Sequence, residues 1–431
     1  EGMDLRDEEF EDWLRLERAH QELTLQNQEP SASPSIPIHS PLVARPKRER
    51  PTIMLAGSVS RGESMNVIEV FLVDCVARSL RENLSVPTFT HDILENSPDQ
   101  LNVQISAPRI ATDQVFLSAS VIHAGSTELL WSGHQSIQSD GPFPFESLDV
   151  LGWVNEIVAA IAEYLGRVGE RSVGAQNATH LGLTALRELF SLQSHRVEEA
   201  DRMLAQAYEI DPRAIFMAWR AQLRGIQFVE RHSDSWKVLR EEGLMFARAA
   251  LEAEPSNSSV LATTANARLI LDNDIVASEE LSRESVAQNG SNPLAWWSRA
   301  FTYLYTDRLE EAFQASMRGH QLSKGSPYRF WWDMQVALSA SAAKRYDKAI
   351  QFGERCATFA PESRPPLRYL IGLHAENGSL DRSLHWARKL KQLEPDFSVE
   401  RLVTDGDYPA SLIRKYDLVK IESLAPLKEL V

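Results

Sequence analysis

The chain has 431 residues, of which 43% are hydrophobic and 24% charged, and its formal net charge is −15 at pH 7. The hydrophobic share is ordinary for a globular protein, which excludes wholesale disorder, and the length predicts about two to three domains. The acidic balance excludes a nucleic-acid coat, because binding phosphates needs a basic surface. Two cysteines, Cys75 and Cys356, cannot form a disulfide framework, which fits a reducing compartment and a cytoplasmic protein.

The sequence shows no feature of a membrane or secreted protein. Its longest apolar stretch, Ile157–Leu165, is far shorter than the roughly 20 residues that a membrane-spanning helix needs. No signal peptide opens the chain, which begins at Glu1 rather than at a methionine. We therefore expect a protein without membrane contact and, from its first residue, a piece of a longer polypeptide.

The first 50 residues differ in composition from the rest. Residues 1–27 are acidic and predict a helix with Phe10, Trp13 and Leu14 toward one side. Residues 28–50 contain five prolines, and proline at that density blocks both helical and sheet hydrogen bonding. This second segment is therefore predicted to be a linker.

Residues 51–170 predict a small α/β domain with a mixed sheet. Strand patterns are interrupted by amphipathic helical patterns, and an Ala-Gly-Ser-Thr turn indicates a hairpin between the last two strands. The predicted strands are Thr52–Ala56, Asn102–Ala107, Gln114–His123 and Glu128–Gln135, and the predicted helices are Met65–Asn83 and Phe145–Leu165. This order of elements indicates helices packed on a sheet.

Residues 178–400 carry a repeat. Prolines recur every 34 residues, at Pro293, Pro327, Pro361 and Pro395. That is the period of the tetratricopeptide repeat, a helical hairpin that buries its apolar face only by stacking. Small or apolar residues lie 12, 8 and 5 positions before the last three prolines, where bulk would push the stack apart: Ala315, Gly319, Leu322, Ala349, Gly353, Cys356, Ser383, Ala387 and Leu390. The predicted fold class is α+β multidomain, with a small α/β domain followed by an all-α tetratricopeptide-repeat superhelix and a carboxyl-terminal tail or cap at residues 401–431.

Two stretches resemble bacterial regulators. The strand TIMLA, the helix FLVDCVARSLRENL and the hairpin VFLSASVIHAGSTELLWSG resemble the TolB amino-terminal-like domain, which precedes tetratricopeptide repeats in cytoplasmic regulators. Within Asp4–Arg18, the residues Asp7, Phe10, Trp13 and Leu14 resemble the end of the helical region that follows the winged helix in SARP/CadC-like transcriptional regulators. The resemblance implies that residues 1–27 close a DNA-binding region whose winged helix lies upstream of Glu1.

No catalytic motif is present in the sequence. It lacks a GxxxxGK[ST] phosphate loop, an HExxH zinc motif and a GxSxG nucleophile motif. His91, Asp92, His123 and His134 are predicted to be surface or half-buried residues, because a metal site needs three or four converging ligands. We expect no enzymatic activity, no cofactor and no metal.

Aromatic pairs recur in the repeats, at Trp296-Trp297 and Trp331-Trp332. Neighbouring residues of a helix point about 100° apart, so one member of each pair can pack in the core while the other faces the concave surface. Trp and Arg are enriched in binding hot spots. The residues predicted to bind a partner are Trp297, Tyr303, Tyr328, Arg329 and Trp332, and core packing is the alternative for the same aromatic side chains.

These observations predict the sensory, protein-interaction region of a bacterial transcriptional regulator. Its repeats would bind a protein or peptide on their concave face and control the upstream domain, through which alone the protein contacts DNA. One alternative is the regulatory region of a class III nucleotide cyclase, which shares the architecture but is not expected to carry the Asp4–Arg18 pattern. Another is a tetratricopeptide-repeat scaffold or assembly protein. An exposed strand edge would permit a homodimer.

Overall fold

The computed structural model describes residues 53–57, 66–84, 86, 88–90, 100–138, 141–168, 174–233 and 235–428. The predicted helix within residues 1–27, the predicted linker 28–50 and the pair His91-Asp92 lie outside the described residues. Contacts between backbones place all described residues in one compact unit.

A mixed sheet forms the amino-terminal part of the described chain. Its strands are β1 (Ile53–Gly57), β2 (Thr88–Thr90), β3 (Leu101–Ser106), β4 (Arg109–Ala111), β5 (Gln114–His123) and β6 (Leu129–Gln138). Strand β1 lies between β2 and β3 and is parallel to both, whereas β5 is antiparallel to β3, β4 and β6. The predicted mixed sheet is confirmed.

Helices α1 (Val67–Leu84) and α2 (Leu148–Val168) pack on this sheet. Every second residue of β5 from Val115 to Val121 is buried, because successive side chains of a strand point to opposite faces. These residues share one hydrophobic cluster with Leu80 of α1 and Trp153 of α2. The six strands and these two helices together are called the sheet unit below.

Several details of the sheet unit differ from the sequence prediction. Strands β2 and β4 were not predicted, because each has three residues, too few to show an alternation of buried and exposed side chains. Helix α2 begins at Leu148 rather than at Phe145. Ser147 caps it there, since its hydroxyl accepts a hydrogen bond from the backbone N–H of Val150 at 3.4 Å.

Six helical hairpins follow in the described chain. They are α3 (Ala175–Leu189) with α4 (Ser194–Ile210), α5 (Ala214–Val229) with α6 (Trp236–Ala253), α7 (Ser258–Asp272) with α8 (Ile275–Gln288), α9 (Pro293–Tyr305) with α10 (Leu309–Leu322), α11 (Arg329–Ala342) with α12 (Tyr346–Phe359), and α13 (Arg364–Glu376) with α14 (Leu380–Leu393). Short turns join the helices of each pair, as in antiparallel helical hairpins. Three short helices, α15 (Arg401–Thr404), α16 (Ser411–Lys415) and α17 (Ile421–Leu424), form a carboxyl-terminal segment that packs on the last hairpin. The predicted all-α repeat array is confirmed.

The small residues at fixed positions lie where the second helix of a hairpin meets its neighbours. All nine that the repeat pattern identified are buried. A Cβ atom added to Gly319 would lie 3.3 Å from both the carbonyl oxygen of Pro293 and the Cβ of Trp296. At Gly353 it would lie 3.1 Å from a methyl group of Leu370. Close approach of helices therefore explains the spacing.

We expect Gly319→Leu to lower the free energy of unfolding by about 1–3 kcal/mol, because the added side chain must displace packed neighbours. Gly141→Leu is the control, since no atom lies within 4 Å of a Cβ added at Gly141. Urea unfolding followed by circular dichroism measures both variants. Equal unfolding midpoints would contradict the close packing inferred at Gly319.

The hairpins are wound so tightly that successive turns of the array touch. Phe190, directly after α3, stacks on Tyr328, directly before α11, with ring centroids 4.4 Å apart. The first hairpin therefore contacts the fifth. Arg231, after α5, pairs with Glu394 (3.0 Å) and Asp396 (2.8 Å), after α14, so the second hairpin contacts the sixth. Hairpins four places apart in the array are therefore in contact.

The sheet unit rests on the turns between hairpins. Asn155 of α2 donates hydrogen bonds to the carbonyl oxygens of Ser291 (2.9 Å) and Leu322 (3.2 Å). Asn257, which caps α7, donates to the carbonyl oxygen of Glu82 near the end of α1, at 3.2 Å. Three successive connections, those after α6, α8 and α10, therefore support the sheet unit through polar contacts.

Candidate functional site

Two large cavities, both partly open to solvent, lie in the described part of the chain. The first, which we name the aromatic cavity, has a volume of about 540 Å³ and is lined by residues of α5, α6, α7, α9, α11, α12, α13 and the carboxyl-terminal segment. The second, which we name the interface cleft, has a volume of about 800 Å³ and lies between α2 of the sheet unit and α3, α9 and α11. Both volumes are typical of ligand pockets, which span about 300–1,000 Å³.

Aromatic rings form the wall of the aromatic cavity. The indole of Trp297 stacks on Trp331, with centroids 5.2 Å apart and 29° between the planes, and on Phe301 at 5.8 Å and 16°. Phe301 in turn meets Tyr305 edge-to-face at 5.5 Å. Rings arranged in this way offer broad apolar surfaces, so the wall suits a flat or aliphatic ligand body.

One polar side chain in this wall has an unused donor. Gln335 of α11 is 1% exposed, and its Nε2 has no hydrogen-bond acceptor among the described residues. An unsatisfied buried donor costs about 1–3 kcal/mol. Because Nε2 itself is buried while Gln335 lines the cavity, rotation of the amide is needed to bring this donor to an occupant.

The lining of the aromatic cavity contains more arginines than carboxylates although the chain is acidic. Its described residues include four arginines and one carboxylate, that of Asp407. The arginines are Arg231, Arg240, Arg401 and Arg414. Carboxylates of the described chain pair with the first three. Arg414 instead donates to three backbone carbonyl oxygens, the nearest that of Tyr408 at 2.8 Å, and forms no ion pair within the described residues.

The carboxyl-terminal segment is held against the end of α9 beside this cavity. The hydroxyl groups of Tyr305 and Ser411 share a hydrogen bond of 3.0 Å. Asp307 accepts a hydrogen bond from the Tyr416 hydroxyl (2.9 Å) and pairs with Lys415 (3.1 Å). Burial raises the pKa of Tyr305 against the opposing effect of the Arg414 charge, so this hydroxyl is neutral at physiological pH.

The interface cleft has an aromatic base and charged edges. Its base comprises Phe190, Trp219, Tyr328 and Trp332, and its charged lining residues include Glu156 and Arg187. The indole N–H of Trp332 donates to the carbonyl oxygen of Pro293 at 3.3 Å, which fixes the ring. Arg187 is exposed and free to meet an entering group.

The five residues predicted to bind a partner do not form one site. Trp297 lines the aromatic cavity, whereas Tyr328 and Trp332 line the interface cleft. Tyr303 and Arg329 line neither cavity. The ring of Tyr303 instead meets the guanidinium groups of two nearby arginines, at 4.3 and 4.2 Å from its centroid. Partner binding by these five residues stays a prediction.

Sequence reasoning missed most of the aromatic cavity. Phe228, Phe301 and Tyr369 belong to three different hairpins, and the recurrence of aromatic residues on first helices was the available signal. No sequence signal identified Gln335 as part of a cavity, because a glutamine within a helix is more often exposed than buried. Arg414 lies in the segment that was predicted to be a tail or cap.

The histidines and one cysteine have ordinary surroundings. His123 shares a hydrogen bond with Ser126 (2.9 Å), and His134 stacks on Phe116. Burial raises the pKa of the Cys75 thiol to about 11, so it is not a thiolate at neutral pH. Among the described residues there is no group of three or more His, Cys, Asp or Glu that could hold a metal ion. Within the same residues, no helix is both long and apolar enough to cross a membrane.

Comparison with known proteins identifies no family for this chain. No protein-family model matches the chain, and no curated protein matches it. The solved structures that match include one titled "MamA AMB-1 P212121", with 16% sequence identity, coverage of 41% of this chain and 96% of that chain, and a TM-score of 0.28. A similarity this low does not support a conclusion about the fold or function of this chain. The assignment of helical repeats rests on the hairpins and the 34-residue period of the chain itself.

Proposed function

We propose that this chain is a non-catalytic regulatory unit that binds a segment of a protein partner in the interface cleft. The observation that carries the proposal is the shared wall of the cleft, which α2 of the sheet unit and α3, α9 and α11 of the array build together. A segment bound there contacts both parts of the molecule at once. Its binding therefore changes the free energy of their association, as a regulatory ligand must.

The chemistry of the cleft supports a peptide segment as the occupant. Its aromatic base supplies the residue types that dominate binding hot spots, and Trp219, Phe190 and Trp332 are each less than 10% exposed. Buried, fixed rings lose little conformational entropy when a ligand packs on them. Glu156 and Arg187 offer charges of both signs to the ends or side chains of a segment.

The class of regulator rests on sequence resemblance. Asp4–Arg18 resembles part of SARP-type activators, and the stretches of the sheet unit resemble the TolB amino-terminal-like domain. These resemblances support a cytoplasmic regulator of transcription that contacts DNA through a winged-helix domain of the same polypeptide. In this proposal, a partner segment in the cleft shifts the equilibrium between conformations that permit and prevent DNA binding.

Selection from a random peptide library against the full chain tests the cleft. For the selected peptides, we expect Tyr328→Ala to raise the dissociation constant at least tenfold, because truncation of a hot-spot aromatic costs about 2 kcal/mol or more. The matched control is Tyr346→Ala, which removes a 38%-exposed tyrosine that lines neither cavity. Fluorescence anisotropy measures both dissociation constants. Equal losses in the two variants would refute binding in the cleft.

A repeat-based scaffold is the second candidate function. It is favoured by two exposed apolar residues on the outer helix α6, Val238 (50% exposed) and Met245 (57% exposed), which lie two turns apart on one face. Deletion of the gene separates the two candidates. Altered transcript levels with protein assemblies intact would support the regulator, and unchanged transcripts with the loss of an assembly would support the scaffold.

A further inference from the structure

The aromatic cavity points to a function beyond partner binding. We propose that it is an effector site for a small amphipathic organic acid, with its apolar body against Trp297 and Trp331, a hydrogen-bond acceptor at Gln335 and its anionic group at Arg414. The aromatic cavity and the interface cleft share no lining residue, so this inference does not rest on the proposed partner binding.

The wall of the cavity determines the apolar body of the ligand. The stacked rings of Trp297, Trp331 and Phe301 are continued by Met334 and Leu338. A flat ring system or a short alkyl chain buries its surface against such a wall without leaving a polar group unsatisfied. The volume of about 540 Å³ suits a small molecule rather than a helix of a partner.

The tyrosine hydroxyl groups of the aromatic wall are already bonded, which argues against an extended peptide lying along that wall. Every peptide unit brings an N–H and a C=O that need hydrogen-bond partners when buried. The Tyr305 hydroxyl is already bonded to Ser411, and the Tyr369 hydroxyl is bonded to the backbone of Leu412. The Gln335 amide, once turned toward the cavity, satisfies one acceptor, which is the need of a small ligand.

Arg414 is the cation that suits the anionic group. It lines the same cavity as Trp297, Trp331 and Gln335. The other arginines of the lining already have carboxylate partners, as described above. Asp407 is exposed, so water and salt screen its repulsion of a second anion. A guanidinium bound to backbone carbonyls keeps its full charge for a ligand.

Exposed residues of the cavity lining lie on α6 and in the carboxyl-terminal segment. Trp236, at the start of α6, is 50% exposed and lines the cavity. Gly406 of the carboxyl-terminal segment is also exposed and lines the cavity as well. A ligand that joins Arg414 to Gln335 ties the carboxyl-terminal segment to α11. Occupancy is therefore expected to stabilise the folded chain, since a ligand that binds only the native state raises its stability.

Titration of the full chain with 2-naphthoic acid tests the effector site, with neutral 2-naphthamide as the comparison ligand. We expect one saturable site by calorimetry and at least tenfold tighter binding of the acid, because a hydrogen bond to a charged group contributes about 1.5–3 kcal/mol. Binding of the acid should also raise the melting temperature of the chain. Circular dichroism establishes that each variant used to locate the ligand is folded before its titration.

Two variants and two matched controls locate the ligand. Arg414→Gln should weaken naphthoate binding about tenfold and leave naphthamide binding unchanged, and Gln335→Met should weaken the binding of both ligands. Arg109→Gln is the first control, since Arg109 is an exposed arginine that also donates to a backbone carbonyl. Gln222→Met is the second, since Gln222 is 2% exposed, has no partner for its polar atoms in the described chain and lines neither cavity.

Three results would overturn the proposal. The first is the absence of saturable naphthoate binding to the unaltered chain. The second is an equal loss of naphthoate affinity in Arg414→Gln and Arg109→Gln. The third is tighter binding of an uncharged acetylated tetrapeptide amide than of naphthoate, lost in Gln335→Met, which would assign the cavity to a peptide.

Discussion

Replacement of Arg368 by alanine is expected to lower the free energy of unfolding by about 3–5 kcal/mol. Arg368 is fully buried. Its guanidinium pairs with Glu394, donates to the hydroxyl of Tyr408 at 3.0 Å and donates to the carbonyl oxygen of Val229 at 2.6 Å. One side chain thus joins helix α13 to the end of α5, the end of α14 and the carboxyl-terminal segment.

The physical reason for so large an effect is the charge that Arg368→Ala leaves behind. Glu394 is 3% exposed and keeps Arg231 as an ion-pair partner at 3.0 Å, but loss of the Arg368 guanidinium removes much of the attraction that offsets the desolvation of this buried carboxylate. The Val229 carbonyl loses a hydrogen bond at the same time. Removal of both charges, in Arg368→Met with Glu394→Gln, should therefore recover part of the lost stability.

Urea denaturation followed by circular dichroism measures this effect against a matched control. Arg382→Ala also removes an arginine from an ion pair, with Glu354 at 3.0 Å, but its side chain is 64% exposed. Exposed pairs contribute at most about 1 kcal/mol. If the unfolding free energies of Arg368→Ala and Arg382→Ala agreed within that margin, the proposed role of Arg368 in joining the turns would be wrong.

The stability of the chain relative to Glu230→Gln is expected to fall as the pH rises from 5 to 8. Glu230 is 1% exposed and accepts hydrogen bonds from the Ser363 hydroxyl (3.0 Å) and the Arg364 backbone N–H (2.8 Å). Burial raises the pKa of this carboxyl from 4.5 to about 7, although the Arg364 N–H and the charge of Arg368 act in the opposite direction.

The sign of the effect follows from proton binding. Between pH 4.5 and pH 7 the folded chain holds a proton on Glu230 that the unfolded chain has released. The contribution of this carboxyl is complete below pH 4.5 and is lost as the pH rises through 7. At about 1.4 kcal/mol per pH unit, the difference from Glu230→Gln changes by about 3 kcal/mol.

The unaltered chain must be compared with Glu230→Gln at each pH, because other buried groups also change the stability of the chain in this pH range. Burial lowers the pKa of His232 to about 4, which makes stability rise with pH between 4 and 6.5 and partly conceals the effect of Glu230. Unfolding curves of both proteins at each pH isolate the carboxyl, and Glu422→Gln, at an exposed position, controls for the substitution itself. A difference that stayed constant from pH 5 to pH 8 would show that Arg368 and Arg364 keep Glu230 ionised.

The repeats were predictable because their cause is local. The residues at fixed distances before each proline are small because neighbouring helices of the array come close together there. The same contact recurs in each hairpin, so these residues recur in the sequence with a period of 34. The contact of Phe190 with Tyr328 was not predictable, because it depends on the summed rotation of four hairpins, to which no single residue type corresponds. Trp297 was predicted on the concave side and lines the aromatic cavity, but no sequence signal separated it from Tyr328 and Trp332, which line the interface cleft.

The short strands and the polar residues of the site were not predicted, for different reasons. Strands β2 and β4 are held by pairing with neighbours, which the residues of a three-residue segment do not encode by themselves. The importance of Arg414 arises from the position of the carboxyl-terminal segment against α9, which is a tertiary contact between residues far apart in the chain. An isolated arginine in a tail carries no such information.

The contact between turns also changes how the chain is expected to fold. In an extended solenoid each repeat touches its neighbours alone, so unfolding can begin at one end and spread hairpin by hairpin. Here the first hairpin is anchored to the fifth and the second to the sixth. Loss of a terminal hairpin removes support from an interior one, which joins distant repeats into a single cooperative unit. The same distant contacts raise the contact order, so folding should be slower than in a helical array stabilised by local contacts.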